Sequence, residues 1–357
     1  MSVVARPETL PLGGAPTFPS RMWWVAARSA EVGSDLLARR IADRPMVLYR
    51  TNEGAVVAID DMCPHRWLPL SKGRREGDQV RCGYHGLLFN HDGSCAEVPS
   101  QPEVSTRVAV RTYAVIERAP WVWVWTGDGD DADPTEIPAY PWLTNPDWRM
   151  DEAYLPMAAN YLRGHENVLD LSHFDYLHPG GLATQEWTRV RPSLSIEDGV
   201  LVEVRDLRSA PAAPNAAAMG VEPGSLVDRR NESRVPTPAL HIATTTLRSP
   251  AGDGHEYHGA VLHAFTPETE RTSHYFFAAA RDWRVDDSEF DERFWQMALF
   301  TFNQDKDALE AVEQVALTHP GPLREFSVRS DKSGLRLRRL VKELIADEAR
   351  GQAKSED

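Results

Sequence analysis

The sequence predicts an α+β protein: a β-rich N-terminal domain, followed by a domain of antiparallel strands and helices. Three observations carry this expectation. Short β-branched runs separated by turn signals fill residues 20–126, an acidic segment rich in Gly and Pro follows at 127–146, and a helix-period pattern runs unbroken over 294–317.

In order along the chain, MVLYR (46–50) and AVVAI (55–59) flank the polar turn Asn52-Glu53-Gly54 and read as paired strands. LLFNHDGSCAEV sets Asp92-Gly93 between two strand-like runs, a hairpin signal. WVWVW (121–125) lacks polar alternation, which fits a strand buried on both faces. GDGDDADPTEIPAYPWLTNP (127–146) reads as a connector, giving domains 1–128 and 129–357; the other reading is a long loop within one domain. YLRGHENVLDLSHFDYLH (161–178) is helical in pattern and stops at Pro179-Gly180. Asp198-Gly199 marks a further hairpin, HIATTTLRS, HGAVLHAF and SHYFFAAA read as strands, and LRLRRLVKELIADEA (335–349) as a last helix.

With 357 residues the chain is long enough to bury substantial cores. Its net charge of -14 repels nucleic acid and anionic membrane surfaces, so neither is expected as a partner. Cys63, Cys82 and Cys95 are the only cysteines, too few for a disulfide scaffold. Few thiols suggest a reducing compartment, and the first residues, MSVVARPETLPLGGAP, lack the apolar core of a signal peptide. A cytoplasmic location is therefore expected.

The strongest chemical signal is Cys63-Pro64-His65, sixteen residues, then Cys82-Gly83-Tyr84-His85. Each short loop presents one thiolate and one imidazole, ligands that suit zinc or iron–sulfur chemistry. Zinc fingers usually pair like with like, Cys with Cys and His with His. The mixed loops, CPHRWLPLSKG and CGYHG, resemble those of Rieske proteins. The resemblance implies a [2Fe–2S] cluster with Cys63 and Cys82 on one iron and His65 and His85 on the other. Cys95 then reads as a small inert residue, and Tyr84 as either a hydrogen-bond donor to the cluster sulfurs or packed core.

A second constellation follows about a hundred residues on. Asp170 and His173 are three apart, a spacing that puts both on one helix face, and His178 lies five further, beside Pro179-Gly180. Two imidazoles so placed supply two-thirds of a facial triad for Fe(II). NVLDLSHFDYLH resembles the NxxDxxHxxxxH stretch of Rieske oxygenases. For the third ligand, Asp305 falls within an apolar stripe of Phe302, Leu309, Val312 and Ala316, where a charge is costly unless paired or metal-bound. A salt-bridged Asp would satisfy that pattern as well. QDKDALEAVEQ, however, resembles the EDKxxxEA region of vanillate and dicamba O-demethylases, which favours Asp305 over Asp307 and Glu166. The resemblance further implies that Asp170 bridges His173 to His85 of a neighbouring subunit in a homotrimer, and that Asn167 lines the pocket.

Arg66, Lys72, Arg74, Arg75 and Arg81 outnumber Glu76 and Asp78 between the two cluster loops, a basic cap that would steer an acidic ferredoxin or flavin reductase. No GxGxxG motif occurs, so NAD(P)H would be oxidised on a separate protein. HAFTPETERTSHYFF resembles the demethylase branch, whose His before TPET lines the substrate pocket; His263 takes that place, and His241 is a second polar wall candidate. Trp67 and Leu87 depart from the family pattern, and 207–240 aligns poorly. The resemblance implies a catalytic domain of helix-grip form. It also implies a monooxygenase that uses O2 to hydroxylate, or to O- or N-dealkylate, a small aromatic acid. Ring dihydroxylation, hydroxylation of a non-aromatic substrate, and a Rieske electron carrier without oxygenase activity are the alternatives.

Overall fold

The computed structural model describes residues 17–179, 181–249, 254–321 and 323–355. They form two units: Phe18–Ile137 with Thr266–Glu270, and Pro138–Phe265 with the residues from 271 onward.

The first unit holds ten short strands: β1 (Trp23–Arg28), β2 (Leu37–Ile41), β3 (Arg44–Arg50), β4 (Val56–Asp60), β5 (Arg74–Glu76), β6 (Gln79–Arg81), β7 (Leu88–Phe89), β8 (Cys95–Glu97), β9 (Val115–Arg118) and β10 (Trp121–Trp125). They make three antiparallel sheets, ordered β1-β10-β9, β2-β3-β4 and β5-β6-β7-β8. The Asn52-Glu53-Gly54 turn joins β3 to β4, and Asp92-Gly93 joins β7 to β8. Every residue of β10 is buried, as its unbroken apolar run predicts. Cys63 and Cys82 sit in a core with Val47, Tyr49, Ile59, Leu70, Val80 and Phe89.

The second unit is built on one seven-stranded antiparallel sheet, ordered β11-β17-β16-β15-β14-β13-β12. Its strands are β11 (Arg149–Met157), β12 (Ser193–Glu197), β13 (Val200–Pro211), β14 (Leu226–Thr237), β15 (Leu240–Arg248), β16 (Glu256–Pro267) and β17 (Ser273–Arg281). The helices are α1 (Tyr161–Leu169), α2 (Phe174–Leu177), α3 (Gln185–Arg189), α4 (Ser288–Thr318) and α5 (Lys332–Ser355). Helix α4 lays Phe302 against the rings of His263, Tyr275 and Phe277, which fixes the inner face of the sheet. Helix α1 approaches β16 so closely that a Cβ at Gly164 would lie 2.4 Å from the Phe265 ring, so only glycine fits there. Among the described residues, no helix is long and apolar enough to cross a membrane.

Two helical expectations need correction. The 161–178 stretch is not one helix: α1 stops at Leu169, a 3-10 turn covers Leu171–His173, and α2 restarts at Phe174. Asp170 causes the break, closing α1 while its Oδ1 accepts from the Ser172 N–H to cap the next turn. The apolar stripe of α4 also fails toward its C-terminus. Val312 is 47% exposed, and the inward position there is Glu313, buried and bonded by Arg163 and Arg271.

Candidate metal centres

The two cysteine–histidine loops have matching backbones. Cys63 N–H donates to the Leu68 carbonyl and Trp67 N–H to the Cys63 carbonyl; Cys82 N–H donates to Leu87 and Gly86 N–H to Cys82. Each loop is closed by the same pair of bonds at the same spacing. The fifth residue has positive φ in both, +62° at Trp67 and +77° at Gly86. Glycine accepts that conformation readily, whereas a bulky side chain is strained there. Trp67 is nevertheless 75% exposed, so packing does not hold it.

The thiols of Cys63 and Cys82 are buried, while His65 and His85 stand at the surface with ring centroids 4.5 Å apart. Burial pushes the Cys63 thiol up to about 11, and the adjacent Cys82 adds to the rise. A buried thiol that resists ionisation, as at Cys63, becomes a thiolate readily only where a metal takes up the charge. The donor set and its inside-to-outside gradient therefore fit a cluster whose histidine side faces outward. Tyr84 is neither packed core nor turned inward: it is 63% exposed, with its ring 3.9 Å from that of His85. Cys95 lies apart, its Sγ against the Glu97 carbonyl.

In the second unit, ligand atoms of His173, His178 and Asp305 all lie within 4.8 Å of one another. Nε2 of His173 is 3.4 Å, and Nε2 of His178 3.2 Å, from the same Asp305 Oδ1. Two ligands bound ~2.1 Å from one ion at right angles would stand about 3.0 Å apart, close to these separations. The far ring nitrogens fix the tautomers. His173 Nδ1 donates to the Asp170 backbone carbonyl at 2.6 Å, and His178 Nδ1 to Gln304 Oε1 at 3.0 Å. Both Nε2 atoms thus carry lone pairs, and both are buried without a hydrogen-bond partner. Asn167 Nδ2 donates to Asp305 Oδ1 at 3.1 Å.

Burial works to raise the Asp305 pKa, but with no metal present hydrogen bonds and charge from the two rings in their protonated form outweigh it and hold the carboxyl at about 2. Burial also works to lower that of His178, and Asp305 with Gln304 overcomes it, leaving a net rise. Two lone pairs and a carboxylate that converge in a buried space call for positive charge. A ferrous ion meets that need with the ligand types of a facial triad.

The other candidates divide. His263 and His241 face each other across β15 and β16, with rings 5.6 Å apart. His263 Nδ1 bonds the Tyr275 hydroxyl at 2.7 Å, while neither nitrogen of buried His241 has a partner. A third buried imidazole, His165, stacks 6.4 Å from His241 and donates Nε2–H to the Pro238 carbonyl. Asn167, expected to line a pocket, touches Asp305 itself. Asp170 meets His173 through its backbone carbonyl rather than its carboxylate. That carboxylate borders a cavity of about 340 Å³ lined also by Glu166, Glu325, Asp331 and Arg338. His165 carries no motif; Gln304 opens the QDKDALEAVEQ stretch, but nothing in that stretch signals its bond to His178.

Residues 22–114 match the Rieske [2Fe-2S] domain model, and residues 157–347 the vanillate O-demethylase oxygenase C-terminal domain model. The toluene-4-sulfonate monooxygenase system iron-sulfur subunit TsaM1 of Comamonas testosteroni is 34% identical over 310 residues, 84% of this chain and 89% of that protein. The dicamba O-demethylase oxygenase component of Stenotrophomonas maltophilia is 32% identical over 342 residues, 93% and 99% of the two chains. The crystal structure of dicamba monooxygenase bound to dicamba superposes with a TM-score of 0.83 at 30% identity, covering 92% of this chain and 98% of that one. Both halves of the chain thus match one architecture, and the protein belongs to the Rieske non-haem iron oxygenases, in the branch of the vanillate and dicamba O-demethylase oxygenase components.

Proposed function

We propose that this oxygenase removes an O- or N-methyl group from a small aromatic acid by hydroxylating it. The observation that carries the reading is the convergence of two tautomer-fixed Nε2 lone pairs on Asp305. In this reading His173, His178 and Asp305 hold the mononuclear ferrous ion. Cys63 and Cys82 hold one iron of the cluster, and His65 and His85 the other. Bound there, the ferrous ion supplies the reduction of O2 and the [2Fe–2S] centre supplies electrons singly.

The remaining work belongs to the chain. Gln304 and the Asp170 carbonyl hold the imidazoles in the ligating tautomer, and Asn167 steadies Asp305. Buried, neutral His241 and His263 wall the substrate pocket. The exposed edge of His65 and His85 is the electron port, with Asp170 linking His85 of one subunit to His173 of the next in a homotrimer. The basic cap around the cluster suits an acidic ferredoxin or flavin reductase that draws on NAD(P)H. One O2, two electrons and two protons convert the methyl ether to a hemiacetal and water; the hemiacetal then collapses to the phenol and formaldehyde. The cluster part is assigned to 1–128 and the iron part to 129–357, in a reducing cytoplasm.

The test is a panel of methoxylated and N-methylated aromatic acids, supplied with a generic ferredoxin, its reductase and NADH. Substrate-dependent formaldehyde, absent in His173→Ala and Asp305→Ala, is expected. Hydroxylated product without formaldehyde would overturn the demethylation. Cluster reduction without any product, with iron remaining at the cluster's own two per subunit, would overturn the oxygenase site.

A further inference from the structure

The inner sheet face that presents His241 also presents positive charge that the metal centres do not use. Leu207 pairs with Arg229 and Arg205 with Asn231 between β13 and β14. Asn231 pairs with Thr245 between β14 and β15, and its Nδ2 donates to the Thr245 hydroxyl at 2.6 Å. Opposed residues share a face and faces repeat every second residue, so Arg205, Arg229, Asn231, Thr245 and His241 lie on one side.

Arg229 is half-buried, and its partners among the described residues are all neutral. Nε donates to Asn231 Oδ1 at 2.9 Å, Nη1 to the Leu182 carbonyl at 2.8 Å, and the guanidinium lies 4.2 Å from the Trp187 ring centroid. Nη2 makes no hydrogen bond, and no carboxylate stands within ion-pair reach among the described residues. Burial alone pulls the group down to about 10. Arg205 lies diagonally across, 5.9 Å from the same ring, and is only 2% exposed with its Nη2 unpartnered. Its single carboxylate partner, Glu203, is shared with the Ser333 hydroxyl. Glu203 thus pairs with Arg205 and leaves Arg229 without a carboxylate partner among the described residues. Trp187 packs with Leu171 and Phe174, and the Phe174 ring lies 5.0 Å from His173 and 5.9 Å from His178. Two aromatic side chains, Trp187 and Phe174, thus lie between Arg229 and the two imidazoles.

We propose that Arg229, backed by Arg205 and stacked on Trp187, is the specificity-determining anion subsite of this enzyme, holding the carboxylate or sulfonate of an aromatic substrate. The proposal rests on the aromatic-acid reading above and names the residue that selects the acid. A half-buried cation without a counter-charge is costly, and an incoming oxyanion that accepts from Nη2 removes that cost. The aromatic body of such a ligand would extend from Arg229 along Trp187 and Phe174 toward the metal-ligating trio. The competing reading makes Arg229 a brace alone, pinning the Leu182 segment and α3 to the sheet.

The experiment is calorimetric titration of the iron-loaded protein with 4-methoxybenzoate, benzenesulfonate and neutral 4-methoxytoluene, for the wild type, Arg229→Gln and Arg229→Lys. Both anions should bind the wild type at least tenfold more tightly than the neutral probe. Arg229→Gln should weaken the anions about 10- to 100-fold, as loss of a charge-assisted bond predicts, and leave the neutral probe unchanged. Arg229→Lys should fall between, because it keeps the charge without the fork. Equal weakening of all three probes would show a brace only, and unchanged anion affinity in Arg229→Gln would overturn the subsite outright. If the Gln variant does not fold, Arg229→Lys decides: wild-type binding of every probe, or equal loss for all, overturns the proposal. Binding is read without turnover, so a negative formaldehyde assay would sink the demethylase reading and leave this one standing.

Discussion

Replacing Gln304 by Leu tests how the proposed metal trio of His173, His178 and Asp305 is organised. Leucine keeps the volume and removes the acceptor that His178 Nδ1–H uses at 3.0 Å. His178 is buried, so water does not readily replace the lost acceptor. An unsatisfied buried N–H costs roughly 1–3 kcal/mol. The ring can escape that cost by moving its proton to Nε2, where Asp305 Oδ1 stands 3.2 Å away as a ready acceptor. That tautomer points an N–H, not a lone pair, at the metal position. Iron binding must then reverse the shift. Loss of a ligand's outer partner typically lowers metal affinity 10- to 100-fold, about 1.4–2.7 kcal/mol. The assay is release of ferrous iron to a colorimetric chelator at increasing concentration, with the cluster's visible absorbance as an internal control for the other unit. Gln304→Glu retains an acceptor and should hold iron at least as well as the wild type. Wild-type affinity in Gln304→Leu would refute the claim that this amide sets the tautomer.

Three further expectations concern stability. Burial holds His165 neutral, with its pKa depressed from 6.5 to about 4. A depressed histidine gives its full contribution above pH 6.5 and loses it as pH falls toward 4, so acidification from pH 7.5 to 4 should cost the wild type about 3 kcal/mol more than His165→Phe in urea melts. Parallel losses would contradict this. Glu313→Leu leaves Arg163 and Arg271 without their buried carboxylate, and a drop of about 3 kcal/mol in unfolding free energy is expected. A neutral effect would show that the pairing only offsets its own desolvation. Trp67→Gly relieves a left-handed backbone under an exposed ring and should stabilise the cluster unit by about 1 kcal/mol. Destabilisation on denaturant melting monitored at the cluster would mean that the indole makes a contact its exposure conceals.

The candidate site was legible in sequence where its residues are local. Each cluster loop brings its own Cys and His, so spacing marked a shared metal site and the resemblance supplied the cluster and its pairing, and the hairpins at Asn52-Glu53-Gly54 and Asp92-Gly93 rested on turn chemistry that tertiary contacts did not override. His173 and His178 were legible for the same reason, although the helix joining them was not. Asp170 ends one turn and caps the next, a competition between side-chain and backbone bonding that periodicity does not register. Asp305 emerged from an apolar stripe that proved only partly real, since α4 runs past the core and exposes Val312. Its assignment leaned on resemblance more than on pattern. Gln304 was illegible because its role depends on which way a side chain reaches across more than a hundred residues. Arg205 and Arg229 meet only through the register of β13 and β14, in a stretch where no motif guided the reading.

The electrostatics of His241 and His263, the proposed pocket wall, decide between two ways of holding an acid. Burial depresses His263 to about 3 and His241 well below its ordinary value, with the neighbouring imidazoles adding to the effect at His241. The nearby Asp305 opposes the shift at His263 without reversing it. Both are therefore neutral at pH 7 and can offer an anion only a hydrogen bond. Charging His263 at pH 7 would require moving its pKa by about four units, or about 5 kcal/mol of substrate binding energy, before any net affinity appeared. Arg229 needs no such proton, because a pKa of about 10 leaves it charged throughout the neutral range. The two arrangements differ in pH dependence. With Arg229 as the anchor, the dissociation constant of 4-methoxybenzoate should stay flat from pH 6 to 8.5. If instead the histidines took up a proton with the ligand, affinity would fall about tenfold per pH unit over that range, with a matching buffer-dependent heat in the calorimeter. Such a slope, persisting in Arg229→Gln, would move the anion from the arginine to the imidazole pair.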